Sequence, residues 1–284
     1  MWFLLIAAVF VSLHTKLNAQ YNPGAKQISM SNSDVALSND VFSLFNNPAG
    51  LAQMNWRELG IYYSPSPFGF SELANGFIAY HEPFDFGSIG VGAMTYGFEL
   101  YRENKISIGF SYNYLNKFFA GAAVNLHTVS IKNYGSDNTF YLNIGGLFYL
   151  TQNFRLGFSV QNLNRASFGN EKDNIPLIYN TGFSYGVMED LTFNLAVEKD
   201  IRYNYSLRGA IEYYLLEYLS LRTGFSNEPS SYSAGIGINY SYFSLDYAFF
   251  THTDLGLTHQ AGLIISFGSE GSRNEKIRKY LGQE

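Results

Sequence analysis

The amino-acid sequence predicts an all-β protein, a transmembrane antiparallel β-barrel of about 14 strands that follows an N-terminal plug-like segment. Composition and pattern both support this fold class. Of the 284 residues, 46% are hydrophobic and only 14% are charged, whereas an ordinary soluble domain carries about 25% charged residues. From about Trp56 onward, apolar and polar side chains alternate with the period of two that is typical of half-buried strands.

The composition also limits the surroundings and partners of the chain. After about the first twenty residues, no stretch approaches the roughly 18 uninterrupted apolar residues of a helical membrane span. Since lipid cannot satisfy free backbone N–H and C=O groups, an apolar exterior without such helices favours a closed barrel. The net charge of -5 argues against nucleic acid, and the absence of cysteine excludes disulfides and thiolate metal sites. We therefore expect outer-membrane lipid around the protein, and no nucleic acid or cofactor.

The first 19 residues have the features of an export signal. Trp2 to Leu13 form one apolar run that is too short to span a membrane, although no Lys or Arg precedes it. Ala19 supplies the small residue expected before a cleavage site. We expect cleavage after Ala19 and delivery to the outer membrane of a Gram-negative-type cell; a buried N-terminal helix is the alternative.

Individual segments show the alternation clearly. The segment Lys105–Tyr114 has an apolar set and a small or polar set: Ile106, Ile108, Phe110, Tyr112 and Tyr114 against Ser107, Gly109, Ser111 and Asn113. Segments 154–161 and 191–198 repeat the pattern. Because successive side chains of a strand point to opposite faces, each segment has one lipid-compatible face and one wet face.

The connections between these segments distinguish a barrel from a soluble β-sandwich, which would alternate equally well. Short links are expected at 115–117, 151–153, 188–190, 216–217 and 241–242. Longer links are expected at 130–138, 162–177, 199–204, 227–230 and 250–257. Strict alternation of short and long links is typical of a barrel with tight periplasmic turns and longer outer loops, and it predicts an even strand number with both ends periplasmic. Aromatic residues near the short links, among them Tyr114, Phe118, Phe119, Tyr149 and Tyr240, indicate an interfacial girdle.

The wet face carries charges on several segments, namely Arg155, Glu198, Arg208, Glu212, Arg222 and Asp246. Opposite charges on adjoining strands predict a cross-strand ladder inside the lumen. We favour structural pairing that fills the lumen over a selectivity ring. Small inward residues such as Gly157, Gly235 and Gly237 leave additional room there.

Catalytic patterns are missing from the sequence. The histidines after residue 19 (His81, His127, His252 and His259) are scattered and form no metal-binding pair or nucleophile arrangement. Gly87, Gly90 and Gly92 lie in an alternating segment without a following helix, which argues against a phosphate loop. We expect no enzyme, no catalytic residues and no metal site.

The segments that flank the barrel do not alternate. Residues 24–53 end in the sequence Asn47, Pro48, Ala49, Gly50 and Leu51, and we expect the segment to enter the lumen as a plug with these five residues as its gate; a periplasmic leader is the alternative. The predicted organisation is a signal peptide (1–19), a plug (20–55), the barrel (56–268) and a polar periplasmic tail (269–284). A short helix over Arg273–Leu281 could dock, but the scarcity of apolar residues favours a disordered tail.

Three motifs resemble known outer-membrane proteins. The NPAGLA run of residues 47–52 resembles the N-terminal hatch signature of the FadL-type (long-chain fatty-acid) outer-membrane transporters and the related PorV/PorQ-like proteins. FSVQNLNRASF (158–168) and LDYAFFTHTDLGLTHQAGLIISF (245–267) resemble the PorV/PorQ-like branch. The resemblance implies a fourteen-stranded barrel with an N-terminal plug.

The same resemblance implies two functions. FadL-type proteins carry hydrophobic molecules, and PorV/PorQ-like proteins are accessory components of type IX protein secretion. We expect non-catalytic passage of hydrophobic or other small molecules across the outer membrane, with a hydrophobic small molecule as partner. The alternative is an accessory role in type IX secretion, with cargo or machinery proteins as partners.

Overall fold

The computed structural model describes residues 23–169, 173–252, 255–268 and 272–282, so the expected signal peptide lies outside the described residues. Fourteen strands form one closed antiparallel barrel, which confirms the predicted fold class. They are β1 (Arg57–Ser64), β2 (Asn75–Phe84), β3 (Gly87–Gly97), β4 (Tyr101–Tyr114), β5 (Phe118–Ile131), β6 (Gly135–Tyr149), β7 (Phe154–Gln161), β10 (Ile178–Gly186), β11 (Leu191–Asp200), β12 (Ser206–Leu216), β13 (Leu219–Asn227), β14 (Ser230–Tyr240), β15 (Phe243–His252) and β16 (Gly256–Phe267). A separate two-stranded ribbon, β8 (Ser167–Phe168) with β9 (Asp173–Asn174), lies between β7 and β10.

Every barrel strand pairs with its neighbours in the chain, with β7 next to β10, and β1 closes the barrel against β16. The closing register runs from Arg57 opposite Phe267 to Tyr63 opposite Ala261. Because the strand number is even, β1 begins and β16 ends at the same rim. We call this the lower rim and the opposite one the upper rim.

The barrel wall is apolar outside and small or polar inside, as the alternation predicted. The upper edge of the apolar band lies between two neighbouring rows of outward-facing side chains on β4, β5 and β6. The row above the edge is polar (Asn104, Thr128 and Asn138), and the row below it is apolar (Ile106, Leu126 and Phe140). Along β4 the band continues to Tyr114, about 26 Å of strand or about 20 Å of height at a tilt of about 40°. This height suits an outer membrane. Aromatic residues do gather at the lower rim, but Phe119 and Tyr149 are buried in the lumen.

The strict alternation of short and long connections was wrong. The lower-rim turns are short, yet the upper rim also has short turns at 98–100, 132–134 and 228–229. The expected loop at 130–138 is a three-residue turn, because β5 and β6 continue above the apolar band with polar side chains, whose polarity suggested a loop. The longer upper-rim connections are 65–74, which contains 3₁₀ turns at Pro67–Gly69 and Ser71–Leu73, and 162–177.

Residues 23–56 fill the lumen, which confirms the plug-like segment. We call these residues the plug. It contains α1 (Ala25–Ser29), α2 (Ser43–Asn46) and a 3₁₀ turn (Pro48–Gln53), and nearly all of it is buried. Apolar plug residues such as Phe42, Leu44 and Leu51 share one hydrophobic core with inward residues of the wall.

The tail forms helix α3 (Arg273–Tyr280), so the favoured expectation of disorder was wrong over residues 272–282. Ser272 and Glu275 form a capping box at its N-terminus. The few apolar residues suffice because Ile277 and Leu281 are both buried against the lower mouth of the barrel. No helix within the described ranges is both long and apolar enough to cross a membrane.

Candidate functional site: the plug in its barrel

Inward-facing glycines of the wall make the space that the plug occupies. A Cβ added at any of nine glycines would come within 3 Å of a plug atom: Gly60, Gly90, Gly92, Gly109, Gly121, Gly145, Gly157, Gly224 and Gly235. At Gly157 the added carbon would lie 2.5 Å from the carbonyl oxygen of Val35, and at Gly235 2.5 Å from Cβ of Ser29. The room predicted from small lumen residues is therefore taken up by the protein's own chain. We call these nine residues the glycine belt.

The five predicted gate residues lie against β4, β5 and β6, and all are buried. The Asn47 side-chain amide donates to the carbonyl oxygens of Val35 (2.8 Å) and Gly146 (3.3 Å). Its Oδ1 accepts from Ala49 N (3.3 Å), which caps the 3₁₀ turn that Pro48 begins. The side chain thus ties two parts of the plug to β6. A role as a gate stays a prediction.

Glu58 connects four parts of the molecule at one buried carboxylate. It accepts hydrogen bonds from Val41 N (3.1 Å), Trp56 Nε1 (2.8 Å) and Ser266 Oγ (2.9 Å). Arg273 of α3 forms an ion pair with it at 2.7 Å. Plug, β1, β16 and α3 therefore meet at a residue that sequence reasoning missed. The available signal was its inward parity in β1, between Trp56 and Gly60.

Helix α3 packs under the plug through charged as well as apolar side chains. Arg273 Nη1 also donates to the carbonyl oxygen of Asn39 (2.8 Å), and Lys276 Nζ lies 5.3 Å from the centre of the Trp56 ring. Burial lowers the pKa of Lys276. Burial alone would also lower the pKa of Arg273, but the neighbouring Glu58 and Asp40 carboxylates raise it.

The structure pairs five of the six predicted lumen charges. Arg208 Nη2 lies 2.6 Å from Glu198 Oε1. Arg222 contacts Glu212 at 2.7 Å and Asp246 at 2.5 Å. All five side chains are buried, in an arrangement that suits structural pairing.

Two further predicted lumen residues, Arg155 and Gly237, are not members of these ion pairs. Arg155 lies apart from these pairs and donates to the Tyr149 hydroxyl (2.9 Å) and to Gln53 Oε1 of the plug (3.4 Å). Gly237 lies between Arg222 and Asp246, and a Cβ there would come within 2.7 Å of both side chains. Glycine at this position lets the ion pair cross the intervening strand.

Two plug carboxylates are fully enclosed. Asp40 accepts from Gln27 Nε2 (2.7 Å) and from Phe42 N (3.0 Å), and burial raises its pKa. Asp34 lines a polar cavity of about 10 Å³, about the space of one water molecule, together with Asn32, Asn46, Gln161, Asn180 and Glu198. Burial, followed by repulsion from Asp40, raises the pKa of Asp34 to about 7. Among the described residues, no group of three or more His, Asp or Glu side chains is placed to hold a metal ion.

A family model described as "Type IX secretion system membrane protein PorP/SprF" matches residues 74–263, which lie within the barrel and loops after the plug. Curated proteins give no match. Membership of the PorV/PorQ-like branch in particular stays a prediction, since the matching model carries the PorP/SprF description.

Several solved outer-membrane barrels have a similar fold. A FadL homologue of Pseudomonas aeruginosa is 11% identical with a TM-score of 0.59, over 86% of this chain and 97% of that one. The toluene transporter TodX of Pseudomonas putida is 14% identical with a TM-score of 0.59, over 80% and 92% of the two chains. Omp33 of Acinetobacter baumannii is 8% identical with a TM-score of 0.51, over 76% and 100%. At such identities the likeness shows a shared fold alone.

Proposed function

The chain belongs to the PorP/SprF family of type IX secretion system membrane proteins, and from this premise we propose that it serves type IX secretion as a non-catalytic, closed outer-membrane barrel that binds cargo or machinery proteins. The export signal in residues 1–19, with cleavage after Ala19, is part of the proposal.

The observation that carries this proposal is the filled lumen. The glycine belt lets the plug pack closely against many strands. Asn47 and Glu58 form hydrogen bonds that connect the plug to β6 and β1, and α3 covers the plug from below. A lumen closed in this way suits a protein that acts through its rims. A filled lumen does not suit a constitutively open channel, because conduction needs a continuous water-filled path through the barrel.

The surfaces offered to protein partners are then the two rims. Short turns are typical of the periplasmic side of such barrels, so we assign the lower rim, with both chain ends and α3, to the periplasm. The upper rim, with loops 65–74 and 162–177, faces outward.

Deletion of the gene tests this function. We expect type IX cargo proteins to accumulate in the periplasm, measured by immunoblotting of periplasmic and medium fractions, and expression of the wild-type chain to restore secretion. The matched control is a strain that lacks an unrelated outer-membrane barrel, which should secrete normally. Normal secretion in the deletion strain would contradict the proposal.

The second candidate function is the one that the sequence predicted first, passage of hydrophobic small molecules. The apolar side chains where plug and wall meet favour it: Phe45 packs on Phe77 with ring centres 5.2 Å apart, within the hydrophobic core that plug and wall share. Passage would need Asn47–Leu51 to move as a gate. Deleting residues 21–53 should then change the uptake of hydrophobic compounds into proteoliposomes, and unchanged uptake would count against passage.

A further inference from the structure

Helix α3 lies across the lower mouth of the barrel. The Leu281 carbonyl oxygen accepts a hydrogen bond from Asn116 Nδ2 in the β4–β5 turn (3.3 Å). Arg278 lies 3.9 Å from Glu189 in the β10–β11 turn. Because these turns belong to different parts of the wall, the helix bridges the mouth that the plug would otherwise present to solvent.

The helix is held by fewer contacts than the plug above it. A helix of eight residues is not stable by itself in water, so α3 is ordered by its docking. Only Ile277 and Leu281 contribute buried apolar side chains, and they join the same hydrophobic core as Met54 of the plug. The plug, by contrast, is buried along nearly its whole length. Undocking α3 therefore disturbs far less packing than moving the plug or opening the barrel.

One carboxylate serves both α3 and the plug. Glu58 is fully buried and holds Val41 N of the plug while it pairs with Arg273 of α3. Arg273 also donates to the Asn39 carbonyl oxygen of the plug. When α3 leaves, Glu58 becomes a buried carboxylate without its counter-charge, an arrangement that favours rearrangement or hydration. The positions of α3 and the plug are therefore coupled.

We propose that α3 is a lid on the lower mouth, and that the Arg273–Glu58 ion pair couples the docking of this lid to the order of the plug, so that undocking α3 loosens the plug from below. This coupling goes beyond the proposed role in secretion and holds for either candidate function. A periplasmic protein that captures α3 would act on the lumen through it.

The absence of cysteine allows a direct test. Ser43 of the plug is buried and its hydroxyl has no hydrogen-bond partner among the described residues, so Ser43→Cys is a mild reporter substitution. The measurement is the rate at which a water-soluble maleimide labels this cysteine in the purified full-length barrel. Circular dichroism and heat-dependent gel mobility verify that each variant retains its barrel.

Three variants in the reporter background separate the parts of the proposal. Arg273→Gln removes the ion pair, Ile277→Ser weakens docking but keeps the pair, and a chain ending at Gly268 removes the lid. We expect each to accelerate labelling at least tenfold. Lys279→Gln is the matched control, since Lys279 is an exposed cation on the same helix and has no part in the docking contacts described above, and it should leave the rate unchanged.

The proposal is overturned if the folded barrel ending at Gly268 labels as slowly as the full chain. It is equally overturned if Lys279→Gln accelerates labelling as much as Arg273→Gln, because the effect would then be one of general helix charge. Fast labelling with Arg273→Gln but not with Ile277→Ser would show that loss of the ion pair loosens the plug without undocking of α3, and it would also overturn the lid.

Discussion

At the residue scale, the glycine belt is what lets a polypeptide segment run through a barrel of this size. Gly157 shows the constraint most directly, since an added Cβ would meet backbone atoms of Val35 and Ala36, which cannot turn away as a side chain can. Glycine in a strand interior usually weakens the strand, but here it allows the close approach of another backbone.

Gly157→Val should therefore displace the plug locally and lower the free energy of unfolding by about 1–3 kcal/mol, as for other overpacked interiors. The measurement is thermal unfolding in detergent, followed by circular dichroism. Gly186→Val is the matched control, because an added Cβ there has its nearest neighbour at 3.8 Å. Equal stability of the two variants would show that the belt does not constrain the plug.

Asp34 gives the plug a pH dependence. Its pKa of about 7 lies above the ordinary 3.8, so the folded state favours the protonated acid. The stabilising effect of that proton is complete below the ordinary pKa and is lost as the pH rises through about 7. The charged groups that act on this carboxyl are Asp40, Lys26 and Arg208.

Relative to Asp34→Asn, the wild type should lose about 2 kcal/mol of stability between pH 5 and pH 7. Melting temperatures of the two proteins across this range measure the difference. Asp85→Asn, a substitution of an exposed acid in the β2–β3 turn, should follow the wild type at every pH. A constant difference between wild type and Asp34→Asn would contradict the raised pKa.

At the element scale, the buried charges hold β12, β13 and β15 together across the inside of the wall. Arg222→Gln leaves Glu212 and Asp246 buried without a counter-charge, and we expect a loss of about 3–5 kcal/mol. Lys132→Gln, which removes the exposed pair with Glu99, should cost less than about 1 kcal/mol. Chemical denaturation of both variants in detergent measures this, and similar losses would argue against a structural ladder.

The strands themselves were largely predictable, because lipid outside and a wet lumen inside impose the alternation on every segment. Their ends were not. The polarity of Ser136 and Asn138 predicts a loop, but both residues continue β6 above the apolar band, where polar side chains are tolerated on both faces. The sequence favours a disordered tail over helix α3, because the helix is ordered only when Ile277 and Arg273 contact a surface that distant parts of the chain form.

The site was predicted less completely than the wall. Charges such as Arg222 and Asp246 could be placed inward by parity, but the partners of each depend on barrel register, and Arg155 turned out to contact the plug instead. The sequence predicts free room at Gly157 and Gly235, because the plug atoms that approach each glycine depend on the path of the plug through the folded barrel. Glu58 could not be found by motif, since two of its four partners, Ser266 and Arg273, lie at the opposite end of the chain.

At the scale of the whole molecule, the barrel behaves as a closed unit: wall, plug and lid share one hydrophobic core and are joined by buried polar contacts. We propose that such a unit binds partners through its rims and does not conduct through its centre. The proposed role in secretion and the coupling through α3 both depend on this closure.

The conductance of the purified protein in planar lipid bilayers tests the closure most directly. The account predicts that the full chain shows no steady ionic current, and that the chain lacking residues 24–53 opens a stable channel, with Gly186→Val remaining closed as the control. A steady open current through the unaltered full-length barrel would contradict the account.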